Sequence, residues 1–164
     1  MKCLIFNVNN FCGRNNTLKS GGKVTQEIKD SIIEFIKEKK FQLVALQEFP
    51  INHQIGKDFI DEMHSMGFKE YHNNDIVKYT SQGTSISIIF VLNTGFNIIR
   101  KVIEDSLRYV SININGIDIL NVHASLKTTS FNLNSIQQYS NSHIGLIIGD
   151  FNAGLYLKGF YPKG

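Results

Sequence analysis

Two stretches decide the fold: Leu43-Val44-Ala45-Leu46-Gln47-Glu48 and Ile147-Ile148-Gly149-Asp150-Phe151-Asn152. Each begins as a short apolar run and leads into a carboxylate, Glu48 or Asp150. Short apolar runs bounded by polar or turn residues read as buried strands. Two further runs end in the same way. Lys2 to Val8 closes on Asn7 and Asn9, and Ile117 to Val122 reaches His123. Four apolar strands therefore end in polar residues that could meet at one edge. A carboxylate placed directly after an apolar run is expensive to bury without a partner. A hard divalent cation would satisfy it, and magnesium takes one or two carboxylates together with water and phosphate oxygens. Asparagine amides add neutral acceptors and donors, and a histidine beside such a site can move a proton near neutral pH. Each residue also has an ordinary reading. Glu48 at a strand end can simply be solvated, and Asn7 and Asn9 can satisfy turn backbone. His123 can be a hydrogen-bonded structural histidine, and Asp150 to Asn152 can be a turn or a helix cap. It is their joint placement at strand ends that favours a site.

The rest of the chain fills in a mixed architecture. Asn9 to Gly22 is rich in Asn, Gly and Ser and reads as a loop, after which Thr25 can cap a helix. Ile28, Ile32, Phe35 and Ile36 recur at helical spacing up to Lys40, and Ile55, Phe59, Ile60 and Met63 mark a second helix that Gly67 would stop. Strands are expected at Phe68 to His72, Ser85 to Leu92, Phe96 to Ile103, Tyr109 to Ile114 and Ile144 to Ile148, with a further helix at Phe131 to Ser140. Asn115-Gly116 is a strong hairpin signal. Strand-helix-strand-helix followed by a run of strands predicts an α+β domain, with a helix-covered sheet joined to an antiparallel meander.

Composition sets the outer limits. The chain has 164 residues, 17 Lys plus Arg, 14 Asp plus Glu and a net charge of +3. That length suits one domain of about 100–200 residues. An apolar content of 42% argues against disorder. No run approaches the ~20 apolar residues of a membrane span. The apolar start is too short for a signal peptide, so a cytoplasmic location is expected. Cys3 and Cys12 are the only cysteines, too few for a zinc site built on thiolates. Cys3 reads as a small core residue.

With these residues in place, the sequence resembles the endonuclease/exonuclease/phosphatase superfamily, whose members include deoxyribonuclease I, exonuclease III-type enzymes, bacterial sphingomyelinases and inositol-phosphate 5-phosphatases. The matching pieces are FNVN at Phe6 to Asn9, LVALQE at Leu43 to Glu48, LNVHAS at Leu120 to Ser125 and IIGDFNAG at Ile147 to Gly154. The resemblance covers nearly the whole chain and implies a four-layer-type sandwich of two packed mixed sheets flanked by helices. It implies Mg²⁺ or Mn²⁺ as cofactor, with Glu48 as the metal-binding glutamate and Asn7 helping to hold metal or phosphate. Asn9 lies where some members carry Asp, which implies phosphate binding with a metal role as the alternative. His123 matches a histidine that contacts phosphate or supports leaving-group protonation. Asp150 matches the carboxylate that orients the attacking water, and Asn152 its phosphate-binding companion. Arg108 resembles a commonly basic position, but an exposed strand-end arginine is unremarkable.

The chain departs from the family pattern after Asn152. Members continue with a strand-rich segment carrying an Asp and a Ser-Asp-His-type motif, whereas here residues 1–164 contain no histidine beyond the GDFN element. The resemblance therefore implies an incomplete second sheet, a missing general-base histidine and room for a complementing segment or chain. The expected activity is metal-dependent phosphodiester hydrolysis. Nucleic acid is favoured over phospholipid or inositol phosphate, on a mildly basic balance and the absence of an exposed apolar hairpin signal. The alternative is a non-catalytic phosphate- or nucleic-acid-binding remnant.

Overall fold

The computed structural model describes residues 1–12, 26–73, 84–93, 95–101, 107–123 and 145–151. The elements in chain order are β1 (Cys3–Asn7), α1 (Gln26–Lys39), β2 (Leu43–Phe49), α2 (Gln54–Ser65), β3 (Phe68–Tyr71), β4 (Ile86–Leu92), β5 (Ile98–Lys101), β6 (Tyr109–Ile114), β7 (Ile117–His123) and β8 (Gly145–Asp150). A single 3₁₀ turn, Asn9–Phe11, follows β1. The strands form two four-stranded sheets, ordered β1-β2-β4-β3 and β5-β6-β7-β8. β1 runs parallel to β2 and β7 parallel to β8; the other neighbours are antiparallel.

Side-chain alternation along β2 and β4 builds the layers, because successive residues of a strand face opposite sides. Val44, Leu46, Ile88 and Phe90 pack with Ile33, Ile36, Phe59 and Met63 of the two helices. Leu43, Ala45, Ile89 and Val91 face the second sheet, where they meet Val110, Ile112, Ile114, Ile119 and Ile148. This is helix on sheet on sheet, an α+β sandwich. The outer face of the second sheet carries a small cluster of Tyr109, Leu120 and Val122, with Ile147 against it. The expected helix at Phe131 to Ser140 and the cap at Thr25 lie outside the described residues. The Asn115-Gly116 turn forms as expected, with φ of 50° and 88° joining β6 to β7, the positive-φ pair that a two-residue hairpin needs.

Three expectations are corrected. β1 is not buried: it is the outermost strand of its sheet, and Ile5 and Phe6 are 44% and 46% exposed. Cys3 is likewise exposed rather than a core residue. An apolar run does not reveal whether a strand has neighbours on both sides or one. In α1 the buried positions are Lys29, Ile33 and Ile36, while Phe35 is exposed. Lys29 enters the core side because its ammonium pairs with Asp30 at 3.1 Å and with Glu62 of α2, so the buried charge is matched.

Candidate active site

β2 does not run straight to its end. Leu46 pairs with Ile88 and Phe49 with Ile86, so two residues, Gln47 and Glu48, stand opposite one, Ser87. That is a β-bulge, a device that re-aims a side chain. Simple alternation would send Gln47 toward the second sheet and Glu48 toward the helices. Instead Glu48 takes a φ of 52°, Phe49 takes the helix-facing place, and the Glu48 carboxylate turns to the strand ends. Non-glycine residues rarely adopt that backbone, and it persists only where packing enforces it. Phe49 supplies that packing, with its ring against Phe11, Phe59 and Phe90 at 5.6–6.0 Å between centroids.

Four of the expected residues meet here. Asn7 Nδ2 donates to Glu48 Oε1 at 3.1 Å and to Asp150 Oδ2 at 2.9 Å. His123 Nε2 lies 3.2 Å from Glu48 Oε1. His123 and Asp150 are register partners on β7 and β8. The cluster thus spans the end of the sandwich: Asn7 and Glu48 come from one sheet, and His123 and Asp150 from the other. Asn9 stands beside it, its backbone N–H donating to Asn7 Oδ1 at 2.9 Å. That bond fixes which end of the Asn7 amide faces the carboxylates, because an N–H can only donate. Asn7 therefore presents its nitrogen to the two acids and its oxygen to the turn. Asn152 lies outside the described residues. His53 caps α2 and His64 bonds Glu70, both away from the cluster.

Electrostatics follow from this geometry. The Glu48 carboxyl is held below its ordinary value, first by the hydrogen bond with His123 and then by Asn7 and the charges of His123 and Arg108. Partial burial opposes these. The Cys12 thiol is pushed up by burial and by the Glu48 charge. Arg108, set aside in the sequence reading, is held at the cluster by its backbone. Its carbonyl accepts from Ser87 Oγ at 2.8 Å and from the His123 N–H at 2.9 Å.

One further residue, Asn121, escaped the sequence reading. Asn121 is fully buried between the sheets. It donates through Nδ2 to Leu46 O and Ile88 O, both at 3.0 Å, and accepts from Gln47 Nε2 at 2.6 Å. The available signal was an Asn two residues before His123, hence on the same face, flanked by the apolar Ile119, Leu120 and Val122.

Among the described residues no three His, Cys, Asp or Glu side chains group as a metal cage. The donor set does fit magnesium, which needs one or two carboxylates and completes its shell with water and phosphate oxygens. Two carboxylates converging on one neutral amide leave negative charge that such a cation would offset.

No family model and no curated protein matches the sequence. Solved structures do match. The chain is similar to an AP endonuclease from Archaeoglobus fulgidus, with TM-score 0.60 and 18% identity over 93% of this chain and 57% of that one. It is similar to the 3′ phosphatase NExo from Neisseria bound to product DNA hairpin, with TM-score 0.60 and 16% identity over 93% and 58%. It is also similar to an endonuclease/exonuclease/phosphatase family protein from Leptotrichia buccalis, with TM-score 0.57 and 17% identity over 93% and 66%. The chain thus spans 57% of the length of the first of these neighbours. Identities this low establish the fold alone.

Proposed function

We propose, from the endonuclease/exonuclease/phosphatase fold that this chain shares with those neighbours, that the cluster at the sandwich end is a phosphoester-hydrolysing site. The observation that supports this reading is the convergence of Glu48 and Asp150 on the Asn7 amide, with His123 against Glu48. Glu48 would hold Mg²⁺ or Mn²⁺, with Asp150 beside it. Bound there, the cation would neutralise charge building on the phosphoryl and leaving oxygens.

The chain's own groups carry the other roles. Asp150 is an acceptor beside the place where phosphate would sit, suited to orient a water for in-line attack and take its proton. Asn7 keeps the two carboxylates at fixed separation and prevents either from swinging away. His123, partly buried and paired with Glu48, is placed to donate to a phosphate oxygen or to the leaving oxygen. Arg108 adds positive charge at the same end. Asn9 and Asn152 are proposed as phosphate donors. The net charge of +3 suits a polyanion, and nucleic acid is the proposed substrate class ahead of phospholipid or inositol phosphate. A segment supplying a second histidine, in the same chain or another, is the proposed complement.

A second reading is a binding module that holds cation and phosphate without turnover. It is favoured by one observation: His123, the one histidine at the cluster among the described residues, is already engaged by Glu48. The deciding experiment is a metal-dependence assay on DNA, RNA and bis-p-nitrophenyl phosphate, comparing the chain with Asp150→Ala. Metal-dependent hydrolysis lost in the variant supports the enzyme. Cation-dependent binding of a phosphodiester without hydrolysis supports the module. Neither activity refutes both.

A further inference from the structure

We propose that Asn121 is a positioning residue: its side-chain amide braces the β2 bulge from the opposite sheet and so sets where Glu48 stands against Asn7 and His123. The bonds all fall on one spot. Leu46 and Ile88 are the last regular pair before the bulge, and Asn121 Nδ2 donates to the carbonyls of both. The amide oxygen takes the Gln47 Nε2 hydrogen, and Gln47 is the residue directly before Glu48. Asn121 Nδ2 thus donates twice to the backbone at the bulge and Oδ1 accepts from Gln47, in an interior where an unmade hydrogen bond is costly.

The placement links the two halves of the cluster. β7 carries both Asn121 and, two residues on, His123 on the same face. A displacement of β7 therefore moves the brace and the imidazole together, and Glu48 follows through Gln47. Packing alone would not do this. The aromatic cluster around Phe49 holds the far side of the bulge against the helices, while Asn121 ties the second sheet to the β2 and β4 backbone on its near side, where His123 meets the Glu48 carboxylate. A serine would be too short to reach two carbonyls, and a leucine of similar size would offer no hydrogen.

The test uses the full chain and does not depend on catalysis. Asn121→Leu keeps the volume and removes all three bonds; Gln47→Leu removes one. The side-chain NH₂ resonances of Asn7 report directly on its bonds to Glu48 and Asp150. In folded Asn121→Leu they should move toward the position of an unpaired asparagine amide, while backbone amides of β6 and β7 keep their native dispersion. Mn²⁺ affinity, measured by electron paramagnetic resonance, should fall on the order of tenfold, as for other residues that orient a ligand from behind. Unchanged Asn7 resonances in a folded Asn121→Leu protein would overturn the proposal, whatever happened to its melting temperature. If Asn121→Leu does not fold, Gln47→Leu must shift the same resonances in the same direction, and an unchanged spectrum there would overturn it equally. Failure of the wild type to bind Mn²⁺ would count against the metal reading and leave the Asn7 resonances to decide this one.

Discussion

Gly149→Ala puts the close approach of β7 and β8 to a quantitative test. Gly149 has a φ of 134° and pairs with Val122. A Cβ built on it would lie 1.9 Å from the Val122 carbonyl oxygen and 2.8 Å from the Val122 nitrogen and carbonyl carbon. These are backbone atoms, so no side chain can swing aside. To reach a tolerable contact β8 must retreat by about 1 Å, at the point where Asp150 and His123 stand side by side, and shifts of that size can cost a site on the order of 10²-fold. The positive φ adds about 1–3 kcal/mol of backbone strain, and a lost strand hydrogen bond about 1 kcal/mol. Together they predict roughly 2–4 kcal/mol of destabilisation. At about 2–4 °C per kcal/mol for a chain of this size, the melting temperature should fall by roughly 5–15 °C. Gly116→Ala is the control: Gly116 also has a positive φ, 88°, but nothing lies within 4 Å of its would-be Cβ, so it carries strain without collision. Calorimetry of both variants separates the two effects. A Gly149→Ala loss within about 0.5 kcal/mol of the Gly116→Ala loss, a difference typical of unconstrained surface positions, would refute the close-approach explanation.

Other outcomes follow from the same geometry. Asn7→Asp replaces the shared donor with a third carboxylate. It should lower the melting temperature in EDTA and raise the stabilisation gained on adding Mg²⁺ relative to wild type; equal Mg²⁺ shifts in the two proteins would contradict this. The Glu48 carboxyl has its folded-state pKa depressed from 4.5, so its stabilising contribution is full above the unfolded value and is lost as pH falls through the lower folded one. The stability gap between wild type and Glu48→Gln should therefore narrow on acidification below pH 4.5 in urea titrations, and a gap that widens would reverse the sign assigned here. Phe59, fully buried against Phe11, Phe49 and Phe90, should cost about 3–5 kcal/mol when truncated to Ala. A loss under 1 kcal/mol would show that the ring cluster does not hold the end of β2.

Much of this site was legible because strand chemistry is local. Leu43 to Leu46 is apolar on both faces, as a strand between helices and a second sheet must be, Ile119 to Val122 is apolar but for Asn121, and Glu48 and His123 mark where the apolar demand stops. The hairpin at Asn115-Gly116 was legible for the same reason, since few residues accept its backbone. What could not be read was set by partners distant in sequence. The exposure of β1 goes with its having, among the described residues, a neighbouring strand on one side only. The buried place of Lys29 depends on Glu62, thirty-three residues away on another helix. The bulge at Gln47-Glu48 depends on Ser87 being one residue where β2 has two, and on Asn121 bracing it from the other sheet. Alternation alone gives Glu48 the wrong face, although it finds the right residue.

The proposed cation site at the end of the sandwich has Glu48 and Asp150 as its carboxylates, held by the Asn7 amide with His123 alongside. The measurement that tests it most directly is Mn²⁺ titration of the ¹⁵N-labelled chain. Selective paramagnetic broadening of the Asn7 side-chain amide and the His123 ring, reversed by Mg²⁺ and abolished in Glu48→Gln, is the predicted result. Uniform weak broadening across the surface, or the same selective pattern persisting in Glu48→Gln, would contradict it.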